Sequence, residues 1–138
     1  MTDKVFIDTN LWIYLYDKKE EHKQLKINQL IREKYYDIII SSQVLNEIYN
    51  IMSKKIKLDH SEIKEIIIET MTNFEVAEIG VLDIMKAMEI KERYNFSYWD
   101  SLIVASAIEN HCSILYTEDM QNNQIIENKL KIVNPFIA

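Results

Sequence analysis

Four carboxylates, those of Asp8, Glu47, Asp100 and Asp119, stand where a strand end or an early helical turn would aim them at one edge of a parallel sheet. Asp8 closes the apolar run Val5-Phe6-Ile7, and Asp119 lies just past the run Ile114-Leu115-Tyr116. Both would project from the carboxyl ends of buried strands, the edge at which open α/β sheets bind their ligands. Glu47 falls between Val44 and Ile51, inside the apolar stripe of its helix, and Asp100 heads the stripe Ile103, Val104, Ala107 and Ile108. Burying unpaired carboxylates against a core costs several kcal/mol, and a bound cation would offset that cost. Oxygen donors with no soft ligand beside them suit Mg²⁺ or Mn²⁺. Such an ion can lower the pKa of a bound water, orient it towards a phosphorus atom and neutralise charge in the transition state.

Each acid also has a plainer reading. Asp100 follows Ser97 at the spacing of an S-x-x-D/E capping box, and carboxylates are favourable at any helix N-terminus. Asp8-Thr9-Asn10 matches an Asx-turn leading into a helix, and Thr117-Glu118-Asp119 matches a loop cap. Glu47 resists that reading because it lies beyond the first helical turn. The joint arrangement, rather than any one residue, points to a site.

The elements that must position these groups are legible as short apolar runs alternating with helical periodicity. Strands are predicted at Val5–Asp8, Ile38–Ser41, Phe74–Ile79, Ile114–Thr117 and Lys131–Val133. The segments between the first four are long enough to return the chain for parallel pairing, which predicts a layered α/β sandwich. One helix follows the second strand, with Val44, Leu45, Ile48, Ile51, Met52 and Ile56 on its apolar face. The next opens on Asp59-x-x-Glu62 and carries Ile63, Ile66, Ile67, Thr70 and Met71; two more cover about Val81–Tyr94 and Tyr98–Asn110, the last capped by Ser97. In such a sheet the crossover helices run antiparallel to the strands, so Glu47 and Asp100 arrive at the same edge as Asp8 and Asp119.

Composition excludes several classes. The chain has 138 residues, 48% of them hydrophobic, and suits one domain spanning residues 1–138 with a full core. No apolar stretch of signal-peptide or membrane-spanning length occurs, so the expected setting is the cytoplasm, away from membranes. A single Gly rules out glycine-rich nucleotide loops, and a single Cys rules out a disulfide framework or a cysteine-based zinc site. The formal charge of −6 argues against a broad basic surface for nucleic acid, although bound divalent ions would offset much of it and engage phosphate directly. His22, His60 and His111 show no ligand spacing and read as surface or capping residues. Lys54, Lys55 and Lys57 could flank an RNA path but read more simply as a solvated helix end; Trp12 and Trp99 read as core or dimer aromatics before base-stacking platforms.

The ordered motifs resemble the PIN domain family, and within it the VapC-like ribonuclease toxins of toxin–antitoxin pairs. Val5-Phe6-Ile7-Asp8-Thr9-Asn10 resembles the family's opening strand and D-T-N motif, and Ser41 through Glu47 its second strand exit and helical Glu. Tyr98-Trp99-Asp100-Ser101-Leu102-Ile103-Val104-Ala105-Ser106-Ala107 is similar to W-D-A-L-I-x-A-A-A, and Thr117-Glu118-Asp119-Met120 to T/S-x-D-L/M. The tail from Gln121 to Phe136 resembles the Q-x-G-Q-x-I and N-P-F ending of one subgroup, with Asn123 in place of the usual Gly.

The resemblance implies a three-layer α/β/α sandwich with a parallel sheet of about five strands in the order 3-2-1-4-5. It further implies a Mg²⁺- or Mn²⁺-dependent endoribonuclease with Asp8, Glu47, Asp100 and Asp119 as the catalytic acids. Asp8, Asp100 and Asp119 are the expected metal ligands, Glu47 acts directly or through a water, and Asn10 and Thr117 orient the carboxylates. Expected partners are an RNA substrate, a cognate antitoxin protein and a second copy in a homodimer. The alternatives are a housekeeping PIN nuclease and a non-catalytic PIN-like binding module. A phosphatase on a related sheet is a further alternative, disfavoured because a dehalogenase-type nucleophile motif would need Asp where Asn10 stands.

Overall fold

The computed structural model describes residues 3–137. The elements follow in the order β1 (Lys4–Ile7), α1 (Thr9–Tyr14), α2 (Glu21–Lys34), β2 (Ile38–Ser41), α3 (Ser42–Ile51), α4 (His60–Asn73), β3 (Glu75–Ala77), α5 (Val81–Tyr94), α6 (Tyr98–Glu109), β4 (Cys112–Tyr116), β5 (Ile125–Ile126) and β6 (Leu130–Val133). They build one sheet ordered β3-β2-β1-β4-β6-β5. Every neighbouring pair is parallel except β5 with β6. The five strands expected from sequence are β3, β2, β1, β4 and β6, in the expected spatial order.

The antiparallel β5 is an addition with a local cause. Glu127 and Asn128 both adopt positive φ, 52° and 55°, and Lys129 N donates to Ile126 O at 3.0 Å, so the chain reverses in a three-residue loop, Glu127–Lys129, whose first two residues take the left-handed backbone. Neither Asn-Gly nor Asp-Gly marks this turn. It is held from outside: the Glu127 carboxylate pairs with Lys86 at 2.6 Å and Arg93 at 3.1 Å, and its N–H donates to the Tyr94 hydroxyl at 3.0 Å.

Both faces of the sheet are covered. Val5, Phe6 and Ile7 of β1 and Ile38, Ile39 and Ile40 of β2 are all buried, so no solvent-facing alternation survives in the central strands. Helix α6 is buried on every side from Ser101 to Ile108, packing on β4 below and α5 above. Ala87 and Ala105 meet Leu102 in a small apolar cluster between α5 and α6, where short side chains allow close approach. On the other flank α1 packs on α3, and Trp12 is buried with its indole N–H donating to Ile7 O at 2.9 Å. Trp99 does not join the core and remains 62% exposed; Met71 likewise lies outside its helix's buried face.

Ser41 caps α3 by accepting from Val44 N, and Val44, Ile48 and Met52 are buried as the stripe requires. The helix does not run regularly to Ile56. Met52–Ile56 forms a π-helical turn, closed by Lys57 at a left-handed φ of 61°. Asp59 caps α4 as expected by accepting from Glu62 N at 3.0 Å. Cys112 is buried at the head of β4, and burial pushes its thiol up to about 12. Among the described residues no helix is long and apolar enough to cross a membrane.

Asn123 occupies the position where glycine is usual in the resembling subgroup, with φ at 69° and its N–H donating to Ile132 O at 2.8 Å. Asn tolerates this region and β-branched residues do not. Asn123→Gly is therefore expected to leave stability within a few tenths of a kcal/mol, and Asn123→Val to cost about 1–2 kcal/mol. Equal urea midpoints for the two variants would show that the turn imposes no left-handed requirement.

Candidate active site

The strand order reverses direction between β1 and β4, and the crevice at that switch point is where a sheet of this kind leaves room for a ligand. Asp8 follows β1 directly. Its N–H extends the ladder to Tyr116 O at 3.0 Å, while its side chain caps α1 by accepting from Thr9 N at 2.7 Å. The other carboxylate oxygen accepts from the Thr117 hydroxyl at 2.8 Å, and that hydroxyl in turn accepts from Asp119 N at 3.2 Å. Asn10 donates to Asp119 Oδ2 at 2.8 Å. The exits of two adjacent strands are thus tied together through their polar residues.

Glu47 and Asp100 approach from the helices. Both oxygens of Glu47 are engaged: Oε1 accepts from the Thr9 hydroxyl, and Oε2 from Gln43 Nε2 at 3.2 Å. The same Gln43 amide donates to Trp99 O at 3.1 Å, linking α3 to the first turn of α6. Asp100 sits in that turn, where Ser97 caps the helix by accepting from Asp100 N at 3.1 Å. The capping reading is therefore real for the Asp8 side chain, while at Asp100 only the Ser97 half of the capping box is formed, and both operate together with the convergence. All four acids line one cavity of about 280 Å³ with Thr9, Asn10, Asn50, Ile51 and Ile103.

Electrostatics mark this cavity as a place that favours added positive charge. Burial pushes the Asp8 carboxyl up to about 6 from 3.8; the Thr117 and Thr9 hydrogen bonds oppose the rise, and the charges of Asp119 and Asp100 add to it. Asp100 is raised as well, first by burial, with Ser97 lowering it and Asp119 and Glu47 raising it. Among the described residues no three acidic, histidine or cysteine side chains stand as a ready-made cage of ligands. The all-oxygen donor set around an open cavity nevertheless fits Mg²⁺, which keeps several of its waters and is commonly held through one or two carboxylates.

Comparison with known proteins agrees with this geometry. The family model described as PIN domain matches residues 5–125. The chain belongs to the PIN domain family. No curated protein matches its sequence. Among solved structures, this PIN domain shares its fold with a toxin–antitoxin complex from Klebsiella pneumoniae, at TM-score 0.73 and 16% identity, covering 98% of this chain and 100% of that one. A DNA-bound VapBC from Salmonella typhimurium gives TM-score 0.72 and 17% identity over 95% and 97% of the two chains. VapC20 of Mycobacterium tuberculosis, a toxin that cleaves the sarcin–ricin loop, gives 0.70 and 18% over 84% and 90%.

Sequence reasoning missed Thr9, Gln43 and Asn50. Gln43 was recoverable in principle, being four residues before Glu47 on one helix face. Thr9 owes its role to the approach of α1 and α3, which no local spacing reports. His22, His60 and His111 are exposed and none lines the cavity, as expected.

Because the folded Asp8 carboxyl titrates near 6 and the unfolded one near 3.8, its charge opposes folding above pH 6, and that cost disappears as pH falls through 3.8. In metal-free protein, Asp8→Asn is expected to raise stability above pH 6 by up to about 3 kcal/mol, with no gain near pH 3.8. Thermal unfolding in EDTA at the two pH values checks this. Identical midpoints for both proteins above pH 6 would show that the carboxylate is buried without penalty.

Proposed function

We propose that this protein is a metal-dependent endoribonuclease acting as the toxin of a toxin–antitoxin pair. The observation that carries the reading is the convergence of Asp8, Glu47, Asp100 and Asp119 on one cavity at the switch point of the sheet. Membership of the PIN family supports nuclease chemistry, and the fold shared with toxin–antitoxin complexes supports an antitoxin partner.

Asp8, Asp100 and Asp119 would hold Mg²⁺ or Mn²⁺. A bound ion supplies Lewis-acid activation of water and charge neutralisation at phosphorus. Thr117 and Asn10 orient the Asp8 and Asp119 carboxylates towards it. Glu47, whose oxygens are fixed by Thr9 and Gln43, positions the attacking water and takes its proton. Water would add to phosphorus in line with the leaving O3′ as the P–O3′ bond breaks, and O3′ would take a proton from solvent, leaving a 5′-phosphate and a 3′-hydroxyl. An antitoxin segment carrying Arg or Lys would suit the same cavity, since a guanidinium satisfies two carboxylate oxygens at once.

A homodimer would have a specific face to use. Val81, Leu82, Met85 and Met88 are all at least half exposed and recur along one side of α5, and Trp99 stands exposed in the helix packed beside it. A second copy is the occupant assigned to this face. Leu82→Glu combined with Met85→Glu is expected to give the 16.5 kDa monomer mass by light scattering, against twice that for the parent. A parent that is already monomeric at micromolar concentration would remove the dimer.

Asp8→Asn and Asp100→Asn are each expected to keep the fold and lower RNA cleavage in Mg²⁺ or Mn²⁺ by about 10²–10³-fold, the usual scale for losing one charged stabilising group. EDTA should abolish wild-type cleavage. Cleavage undiminished in both variants, or insensitive to EDTA, would overturn the mechanism.

A further inference from the structure

We infer that the groove between the α1–α2 turn and the end of α3 is the path of the RNA strand leading away from the scissile phosphate. This rests on the nuclease reading and extends it. The groove, of about 690 Å³, is floored by Ile13, Ile51, Ile56 and Leu58. Lys18, Lys19 and Lys55 stand exposed on its rim. It is continuous with the acidic cavity, because Asn10 and Ile51 line both.

One helix face makes the connection. Glu47, Ile51 and Lys55 succeed one another at four-residue intervals, so α3 and its π-helical turn present a carboxylate in the cavity, an apolar residue at the junction and an ammonium in the groove. The opposite wall follows the same sequence, from Asn10 through Ile13 and Tyr14 to Lys18 and Lys19. The one acid in the groove, Asp17, turns its carboxylate to Lys19 N at 3.0 Å.

Charge decides the occupant. Among the described residues the basic side chains in ion pairs are Lys4, Lys23, Lys86 and Arg93, so Lys18, Lys19 and Lys55 are uncommitted. A chain with a formal charge of −6 and four acids in its cavity repels every phosphate that no cation meets. The phosphates next to the scissile one need local positive charge, and these lysines supply it where the strand must exit. The apolar floor and the Tyr14 and Tyr16 rings give sugars and bases a surface to lie on.

The test measures binding apart from cleavage. A fluorescent single-stranded RNA of about 12 nucleotides is titrated in EDTA over a salt series. The probes are the wild type, a K18A/K19A/K55A variant, and a K64A/K129A/K131A control of equal net charge. The groove variant is expected to bind roughly tenfold more weakly at low salt, with its log–log salt slope shallower by about 2, at about 0.7 per lost phosphate contact. The control should match the wild type in slope. With metal present, the groove variant should raise KM and keep kcat.

Equal losses in the two variants would overturn the groove in favour of diffuse charge, and so would an unchanged slope or a wild type that binds no RNA. Unchanged RNA binding with loss of affinity for a polyglutamate peptide would overturn it in favour of a protein partner. A wild type that binds through the lysines yet cleaves no RNA in either metal would support the path and overturn the nuclease reading alone.

Discussion

A carboxylate buried at the end of the central strand is the constraint around which the structure is arranged. Asp8 is 7% exposed, and its neighbours both stabilise and oppose its charge. Two donors, Thr9 N and the Thr117 hydroxyl, satisfy its oxygens, but they do not cancel the cost of removing a charge from water. The remaining deficit is what a bound cation would relieve. The same residue also starts α1, so a wall of the acidic cavity and a helix terminus depend on one side chain.

Holding Asp119 in place takes a second set of contacts on the far side of its loop. Glu118, the residue before it, accepts from Tyr14 and pairs with Lys23 at 3.0 Å, and the Lys23 ammonium lies over the rings of Tyr14 and Phe136. Part-burial makes this pair more than a surface salt bridge, whose worth is usually under about 1 kcal/mol. The loop that carries Asp119 is therefore fastened on one side to Asp8 through Thr117 and on the other to α1, α2 and the C-terminal segment. Rigid backing of this kind keeps a carboxylate where its partner groups need it.

The strands and the convergence of the four acids were readable from sequence because the information was local, whereas the order of the strands was implied by the family resemblance. A strand exit followed by Asp, or a carboxylate inside an apolar stripe, already states which way a side chain must face. Asn123 was likewise readable, since only a few residue types accept its backbone conformation. What escaped depends on contacts between distant segments. The Glu127–Asn128 turn is held by ion pairs from α5, the π-helical turn after α3 preserves the apolar periodicity that suggested a regular helix, and Thr9 meets Glu47 only through tertiary packing. Trp99 illustrates a choice that sequence left open: it read as a core or a dimer aromatic, and its position in the first turn of α6 leaves it outside the core.

Cys112 gives the molecule an internal clock. It lies at the head of β4, in register with Lys4 of β1, along the seam whose other end carries Asp8 and the approach to Asp119. Attack on a thiol reagent requires the thiolate, and in the closed sheet burial suppresses both ionisation and access. Covalent labelling must therefore wait for the packing around the head of β4 to loosen. The pace at which a small alkylating agent consumes this one sulfur, followed over time in the native protein, reports how often the sheet opens at the end opposite the acidic site.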